Sequence, residues 1–376
     1  MGNELTIIGM MSGTSMDGID ACLVKINDDF SFKVLGSHSA AYPDEITRKL
    51  LALANNNGST AATAEICAMD FAVGKLFAKC ANELIEKVKQ QQSRQHFLKE
   101  NIDLIASHGQ TVWHIPKEAT LQIGNISVIA EETGISTIGN FRARDIAAGG
   151  QGAPLVPFAD EKIFKREIPR AIQNIGGIAN VTVLSPDTAT FAFDTGAGNM
   201  LIDYFTKKLF NLPFDKDGEL ASKGKINEDW LNSLLNLDYY RLEPPKTTGR
   251  ELFGEEYAEK IFRSAPENPY DVIATVTALA AKTIADAYEN FVFHKTKIRE
   301  IVLGGGGAYN KTLIGYLKNY LPDIPIKTHE DFGIDNKYKE AIAFAFLGYC
   351  SAMKIPNSLP ECTGAKKSVV MGEVAF

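Results

Sequence analysis

The feature that most constrains the fold is a strand–turn–strand pattern that occurs twice, over residues 5–26 and again over 171–184. In the first, two apolar segments flank the small residues Ser12–Gly18, and in the second they flank Gly176-Gly177. Each pattern is typical of a β-hairpin, and helical periodicity follows both. The sequence therefore predicts two α/β domains, each with a mixed sheet that is antiparallel at the hairpin and parallel elsewhere.

The segments between and after the hairpins complete this prediction. Apolar residues recur at three- and four-residue steps where long helices are predicted, and short apolar runs predict further strands. The predicted helices are 60–89, 271–291 and 339–353, the further strands include 102–107 and 300–303, and a Gly-rich loop is predicted over 139–157. A Gln-rich segment near residues 90–95 is predicted to end the first of these helices in solvent.

Composition limits the class of function. The chain has 376 residues, with 39 Lys+Arg, 46 Asp+Glu and no basic run, which argues against nucleic acid or an anionic membrane as partner. No stretch of about 18 apolar residues and no signal-peptide pattern is visible. Five widely spaced cysteines without a C-x-x-C pair favour a reducing compartment. We expect a cytoplasmic enzyme that acts on small molecules.

The loop of the first hairpin predicts an anion site. Ser12–Gly18 reads SGTSMDG, and its glycines and hydroxyls could present backbone and side-chain donors to a phosphate group. The alternative is an ordinary hairpin turn. The loop is not a Walker A motif, because the chain contains no G-x-x-x-x-G-K-[ST] pattern.

Two further glycine turns follow predicted strands. Asp194 stands at the end of one strand, before Gly196 and Gly198, at a point where reacting groups gather in α/β folds, although it could equally be a turn residue. The run Gly304–Gly307 removes side chains from a surface that a flat adenine ring could cover. Three such turns in one chain predict a nucleotide-binding cleft.

The motifs resemble a known family. GTSMDG, FDTGAGN and VLGGGGAYN, in this order, resemble the phosphate-1, phosphate-2 and adenosine motifs of the superfamily of sugar kinases, heat-shock chaperone ATPases and actin. Within it the chain resembles the anhydro-N-acetylmuramic acid kinase family from about residue 7 to 348. The strings that carry the resemblance are GMMSGTSMDGID, ASHGQTVWH, LQIGN, FRARDIAAGGQGAPLVP, NIGGIANVT, FDTGAGN, DKDGELA, TTGRE and LGGGGAYN.

The resemblance implies a fold and an assembly. It implies a two-domain actin-like ATPase fold with ribonuclease H-like domains, mixed sheets flanked by helices, and an interdomain cleft. The expected N-terminal domain is 1–138 with about 355–376, and the expected C-terminal domain, 139–354, carries the adenosine site. The resemblance also implies a homodimer.

The resemblance further implies a reaction of cell-wall recycling that depends on ATP and Mg²⁺. Water opens the 1,6-anhydro bridge of anhydro-N-acetylmuramic acid and O6 is phosphorylated, which gives N-acetylmuramic acid 6-phosphate and ADP. Asp194 matches the general base, and Asp17 or Asp20 could hold Mg²⁺ through water. The expected ATP ligands are Ser12, Gly13, Thr14, Ser15, Asp17, Gly18, Asp20, Gly196, Gly198, Asn199, Gly304, Gly305, Gly306 and Gly307; the expected sugar contacts are Arg142, Asp145, Gln151 and Glu340.

Other residues and other functions remain open at this stage. His108 and His114 lack metal-site spacing, and the DFG triplet at 331–333 lacks the other protein-kinase motifs. Lys246 and Arg250 could begin a solvated helix or bind a phosphate or lactyl carboxylate. A chaperone-like ATP-driven binding module and a sugar kinase that phosphorylates a free hydroxyl are alternatives, and the segment 142–157 argues against the first of them.

Overall fold

The computed structural model describes residues 4–13, 16–55, 61–91, 99–165 and 167–376. The described residues fall into two compact units. Unit 1 is Met1–Phe164 with Lys337–Phe376, and unit 2 is the intervening segment Lys165–Asn336.

Groups of strands and groups of helices follow one another along the described chain. The strands are β1 (Leu5–Ser12), β2 (Gly18–Ile26), β3 (Phe32–Ala41), β4 (Leu104–Ile115), β5 (Ala119–Ile123), β6 (Thr137–Gly139), β7 (Arg170–Ile175), β8 (Ile178–Leu184), β9 (Phe191–Ala197), β10 (Glu300–Gly304), β11 (Ile326–Thr328) and β12 (Glu373–Ala375). The α-helices are α1 (Asp44–Asn55), α2 (Ala61–Gln91), α3 (Ile126–Thr133), α4 (Phe141–Ala147), α5 (Val156–Phe164), α6 (Asn199–Phe210), α7 (Glu228–Leu235), α8 (Arg250–Phe253), α9 (Glu255–Phe262), α10 (Pro269–Phe291), α11 (Lys311–Tyr320), α12 (Lys339–Ala352) and α13 (Pro360–Thr363).

The sheet of unit 1 is mixed. Among the described residues its strand order is β12-β6-β4-β1-β2-β3, and β5 pairs with β4. β1, β2 and β3 pair antiparallel in succession, whereas β4 pairs parallel with β1 and β6 parallel with β4. The first predicted hairpin is therefore present, and it is continued by a third strand.

The sheet of unit 2 repeats this arrangement. Its order over the described residues is β11-β10-β7-β8-β9. β7, β8 and β9 pair antiparallel in succession, and β10 pairs parallel with β7 and β11 parallel with β10. The turn between β7 and β8 thus occupies the same topological position in unit 2 as the turn between β1 and β2 in unit 1. The prediction of two α/β domains with mixed sheets is confirmed.

Helix α12, near the end of the chain, belongs to the core of unit 1. Gly9 on β1 permits this packing, because a Cβ atom there would lie 1.9 Å from the backbone oxygen of Ala341. The sequence placed 139–164 and 337–354 in the C-terminal domain, whereas in the structure both segments lie in unit 1. The difference arises because local periodicity identifies a helix but does not show which strand it packs on, and α12 packs on β1, which is distant in sequence.

Long apolar helices complete the two cores. In unit 1, Phe77 and Leu84 of α2 are buried in the same hydrophobic cluster as the sheet residue Ile8. In unit 2, α10 begins with Asn268, whose side chain accepts from the Tyr270 N–H, and with proline at the first helical position. Most of α10 is buried, since Ala, Val, Ile and Thr line all its faces.

Two segments differ from the predicted secondary structure. The predicted loop over 139–157 contains α4, and the SHGQTVWH string lies on β4. Helix α2 extends to Gln91, and residues 92–98 of the Gln-rich region lie outside the described residues. None of the helices in the described residues combines the length and apolarity that a membrane span requires.

Candidate active site

The hairpin turn of unit 1 is held by a buried glutamine. The Ser12 hydroxyl is 2% exposed and lies 2.6 Å from the Gly18 carbonyl oxygen and 2.7 Å from Oε1 of Gln110. Gln110 Nε2 donates to the Gly13 carbonyl oxygen at 3.1 Å. Gln110 is fully buried on β4, so it fixes the start of the turn from the neighbouring strand. The sequence did not predict this residue as part of the site.

Two acidic residues follow, Asp17 in the turn and Asp20 on β2. Asp17 is exposed, and its backbone oxygen accepts from the Tyr42 N–H at 2.9 Å. Asp20 Oδ1 accepts from the Ser39 hydroxyl at 2.5 Å and lies 3.9 Å from Nζ of Lys337. Thr14 and Ser15, two of the predicted ATP ligands, lie outside the described residues.

A second cluster in unit 1 centres on Arg142. Its Nε donates to Nε2 of His108 at 3.1 Å, and its Nη1 donates to the Gly152 carbonyl oxygen at 2.8 Å. Because His108 Nε2 accepts, the proton of the neutral ring is on Nδ1, which lies 3.0 Å from the Gly109 carbonyl oxygen. Burial and the neighbouring guanidinium lower the pKa of His108 to about 3, so the ring stays neutral. The histidine therefore orients Arg142.

The predicted sugar contacts divide into two kinds. Asp145 is fully buried; its Oδ2 accepts from the Gly152 N–H and its Oδ1 from the Thr363 hydroxyl, both at 2.8 Å. The Gln151 N–H donates to the Thr363 carbonyl oxygen at 2.8 Å. These bonds fix the segment after α4, and Asp145 has no exposed surface to offer a sugar.

Glu340 completes the cluster from the first turn of α12. Its side chain is exposed to solvent, yet the surrounding protein raises the pKa of the carboxyl, against the opposing charges of Lys339 and Arg142. Burial lowers the pKa of Arg142 to about 10, with Glu340 and Asp145 opposing, so the guanidinium remains charged at neutral pH. Unit 1 thus brings an oriented cation and an acid together.

Asp194 lies on β9 of unit 2 and is held at three points. Its N–H donates to the Lys246 carbonyl oxygen at 3.0 Å, and its carbonyl oxygen accepts from the Tyr239 hydroxyl at 2.9 Å. Its Oδ2 accepts from the Thr248 N–H at 2.9 Å. Burial raises the pKa of the half-buried carboxyl to about 6; the Thr248 N–H opposes this rise and the Glu251 carboxylate adds to it. The group is a carboxylate at neutral pH but a stronger base than an exposed aspartate.

The glycine turn after Asp194 packs on the β7–β8 turn. The N–H groups of Gly198 and Asn199 donate to the carbonyl oxygens of Gly177 and Gly176, at 2.9 and 2.7 Å. Asn199 Nδ2 donates to the Ile175 carbonyl oxygen at 3.0 Å. The first N–H groups of α6 therefore already have partners within unit 2.

The tetraglycine turn lies against the same hairpin. Gly305 has φ +76°, and a Cβ atom there would lie 2.6 Å from the Ile175 carbonyl oxygen. Asn336 brackets this glycine, because its Oδ1 accepts from the Gly305 N–H at 2.8 Å and its Nδ2 donates to the Gly305 carbonyl oxygen at 2.9 Å. Unit 2 thus brings the turns 176–177, 196–199 and 304–307 together.

Sequence reasoning missed several residues that shape these turns. The β7–β8 turn could have been recognised as part of the site from the sequence. Gly176-Gly177 lies between two strands in the same way as the first hairpin turn, and the strand order is repeated in the two sheets. For Gln110 and Asn336 no local signal existed, since their partners lie 97 and 31 residues away.

Two units that share this strand order, each with a hairpin turn of small residues, define the class of the protein as one with an actin-like ATPase fold. A profile of anhydro-N-acetylmuramic acid kinases matches residues 5–376. The chain belongs to the anhydro-N-acetylmuramic acid kinase family.

Curated relatives with the same family name align with nearly the whole chain. The anhydro-N-acetylmuramic acid kinase of Caldanaerobacter subterraneus subsp. tengcongensis is 44% identical, with 99% of this chain and 97% of that protein aligned. The anhydro-N-acetylmuramic acid kinase of Clostridioides difficile is 40% identical, with 98% and 97% aligned.

Solved structures are more distant. Component A of (R)-2-hydroxyglutaryl-CoA dehydratase from Acidaminococcus fermentans is 14% identical, with a TM-score of 0.46 over 93% of this chain and 100% of that one. The ROK hexokinase of Thermus thermophilus is 11% identical, with a TM-score of 0.38 over 93% and 100%.

Proposed function

We propose that this kinase uses ATP and water to convert anhydro-N-acetylmuramic acid into N-acetylmuramic acid 6-phosphate and ADP, in peptidoglycan recycling. Family membership supports the substrate and the kinase activity. The observation that carries the mechanism is Asp194: its backbone is hydrogen-bonded at two points, and its half-buried carboxylate accepts from the Thr248 N–H and has a pKa raised by burial to about 6.

Asp194 acts as the general base in this proposal. It takes a proton from water as the water oxygen bonds to C1, and the C1–O6 bond breaks. The freed O6 attacks the γ-phosphorus of ATP and ADP leaves, so the anhydro bridge supplies the nucleophile. The carboxylate accepts from the Thr248 N–H, and the Asp194 backbone is hydrogen-bonded through both its N–H and its carbonyl oxygen, so the carboxylate is oriented before substrate binds.

The hairpin turns provide the phosphate contacts. In unit 1 we assign phosphate contact to the segment Gly13–Asp20, whose start is fixed by Gln110. In unit 2 we assign phosphate contact to Gly177 beside the predicted 196–199 turn, because the N–H groups of Gly176, Gly198 and Asn199 already donate within the unit. The flat surface at Gly304–Gly307 takes the adenosine.

Mg²⁺ is expected with ATP, and the carboxylates of the first turn fit it. Asp17 and Asp20 are hard oxygen donors three residues apart, and Mg²⁺ commonly keeps several waters and binds through one or two carboxylates. Among the described residues no group of three or more His, Cys, Asp or Glu side chains is placed to hold a metal ion. Bound Mg²⁺ would neutralise phosphate charge.

Sugar recognition is assigned to unit 1. Arg142 supplies a charged donor for an acidic or hydroxyl group, Glu340 supplies an acceptor, and Gln151 follows on the adjoining segment. Asp145 supports this cluster by fixing Gly152 and Thr363. We further propose a cytoplasmic homodimer, for which sedimentation of the purified protein should give twice the 41.1 kDa chain mass.

Turnover in heavy-oxygen water tests the reaction. The label should enter the C1 hydroxyl early in turnover and be missing from the ester oxygen that joins the sugar to phosphorus. The sample must be quenched and compared with preformed product, because anomeric oxygens exchange slowly with solvent. Asp194→Asn is the matched control, since it keeps the size of the side chain but removes the base, and its turnover should collapse while ATP still binds.

The outcomes separate two kinds of kinase. No label at C1 beyond exchange, or activity only on the ring-opened sugar, would make the protein a kinase of a free hydroxyl. A near wild-type rate in Asp194→Asn would remove Asp194 from the mechanism and leave it a turn residue.

A further inference from the structure

Lys246 is a buried lysine that no ligand role explains. It is 6% exposed, and its Nζ donates to the carbonyl oxygens of Tyr239 and Tyr240, at 3.2 Å each. The ammonium also lies 5.0 Å from the ring centre of Tyr239 and 4.6 Å from that of Phe291. The lysine is therefore neither solvated nor directed at a ligand, in contrast to both interpretations of the sequence.

The segment that this ammonium closes is the one that holds Asp194. Tyr239 at one end donates its hydroxyl to the Asp194 carbonyl oxygen, and Lys246 at the other end accepts the Asp194 N–H through its own carbonyl oxygen. Thr248, two residues further on, donates its N–H to the Asp194 carboxylate. The Lys246 ammonium thus joins the two ends of the 239–246 loop, and both ends of this loop are hydrogen-bonded to the Asp194 backbone.

We propose that Lys246 is a positioning residue for the reaction, which keeps the 239–248 segment closed so that the Thr248 N–H stays on the Asp194 carboxylate. This inference rests on the proposed role of Asp194 as base. Lys246 acts through the backbone, because its side-chain donors end on two carbonyl oxygens of the loop rather than on the carboxylate.

The consequence is a link between Lys246 and the protonation of Asp194. A hydrogen bond to a carboxylate stabilises the charged form and lowers its pKa. The titratable groups beside Asp194 are Glu251 on α8, which raises its pKa, and Tyr239, whose own pKa burial raises so that it stays neutral. Loss of the Thr248 N–H leaves burial and Glu251 unopposed, so the pKa of Asp194 should rise.

Lys246→Met tests this inference in the full-length protein. Methionine keeps the length and the ring contacts but loses the ammonium. We expect kcat at pH 7 to fall at least about tenfold, the KM for ATP to stay within about twofold, and the acid limb of the kcat profile to move up by about one pH unit. A wild-type acid limb, or a loss of kcat with no shift of that limb, would overturn the proposal.

Two further variants keep the test decisive. Lys295→Met is the matched control: its ammonium lies 4.6 Å from the ring centre of Phe191 on the same strand as Asp194, and it should leave the profile unchanged. If Lys246→Met does not fold, Tyr239→Phe removes the hydroxyl donor and should shift the limb in the same direction; an unshifted limb there overturns the proposal. If Asp194→Asn is inactive and Lys246→Met has the wild-type kcat and pH profile, only the inference about Lys246 is wrong. If Asp194→Asn is active, the proposed role of Asp194 as base is wrong as well.

Discussion

At the scale of single residues, Asp194 combines two opposing influences. Burial and the nearby Glu251 carboxylate disfavour its charge, and the Thr248 N–H favours it. The result is a base with a pKa of about 6 that is still ionised at neutral pH. An exposed aspartate, with a pKa near 4, would be ionised over a wider range but would accept a proton less readily.

This balance predicts the pH dependence of catalysis. A general base works only when deprotonated, so kcat should fall as the pH drops through about 6, to roughly a tenth at pH 5. Initial rates at saturating ATP and sugar between pH 4.5 and about 8 would measure this.

Phosphate groups also titrate near pH 6. A variant is therefore needed to show that the fall of kcat at acid pH is due to a group of the protein. Glu251→Gln removes the like charge and should move the limb to lower pH. A limb that stays in place in this variant, or activity that is flat down to pH 5, would contradict the assignment to Asp194.

At the scale of structural elements, adjacent glycines in one turn have different roles. Gly305 has a positive φ and approaches the Ile175 backbone too closely for a side chain. At Gly306 the nearest atom to a Cβ would be Asn199 Nδ2 at 3.5 Å, an ordinary contact. The sequence GGGG alone does not distinguish them.

Alanine at each position should therefore give a different result. Gly305→Ala should lower the free energy of unfolding by about 2 kcal/mol or more, seen as a lower Tm. Gly306→Ala should fold like the wild type but raise the KM for ATP several-fold and leave the KM for sugar unchanged, since its methyl group would intrude on the adenosine surface. Equal ATP KM values for Gly306→Ala and the wild type would argue against adenosine at this turn.

The elements that the sequence predicts well are those whose signal is local. Both hairpins were predictable because apolar strands flank turns of small residues, and α10 because its apolar pattern is long. Helix α4 was not, since it has only seven residues, is followed by Gly149-Gly150 and has just Phe141 and Asp145 buried. Periodicity cannot be recognised over two turns of helix.

The candidate site was predicted to a similar extent and for the same reason. Asp194 is marked by its place between a strand and a glycine turn. Gln110 and Asn336 look like ordinary polar residues, because only the folded chain shows which backbone groups they bond. Lys246 was a candidate for a solvated or an anion-binding role, and only the folded chain shows that it is buried on two carbonyl oxygens. The supporting residues of the site are thus the part that sequence alone does not reveal.

At the scale of the whole molecule, the two units differ in the number of chain segments that form them. Unit 2 is one continuous segment, Lys165–Asn336, whereas unit 1 needs Lys337–Phe376 for α12, which packs on β1 at Gly9. A fragment of residues 165–336 should therefore fold alone, and a fragment of residues 1–164 should not, because most of α12 is buried in the intact unit.

Thermal melting of the two fragments, followed by circular dichroism, would measure this. The 165–336 fragment should show a cooperative transition. A cooperative transition in the 1–164 fragment would contradict the expectation, and adding the 337–376 segment as a separate peptide provides the control, since it should restore order to that fragment.

The return of α12 to the first strand also determines when each part of the protein can fold during its synthesis. Domains usually fold in the order in which the ribosome makes them, at about 5 to 20 residues per second. Here β1 must wait for a helix that begins at Lys339, about 10 to 35 s after unit 1's first segment is complete at those rates. That interval is spent making unit 2, whose last residue, Asn336, comes shortly before α12. The apolar strands made first therefore remain uncovered longest, and nascent chains of this kinase should depend on chaperones at their beginning rather than at their end.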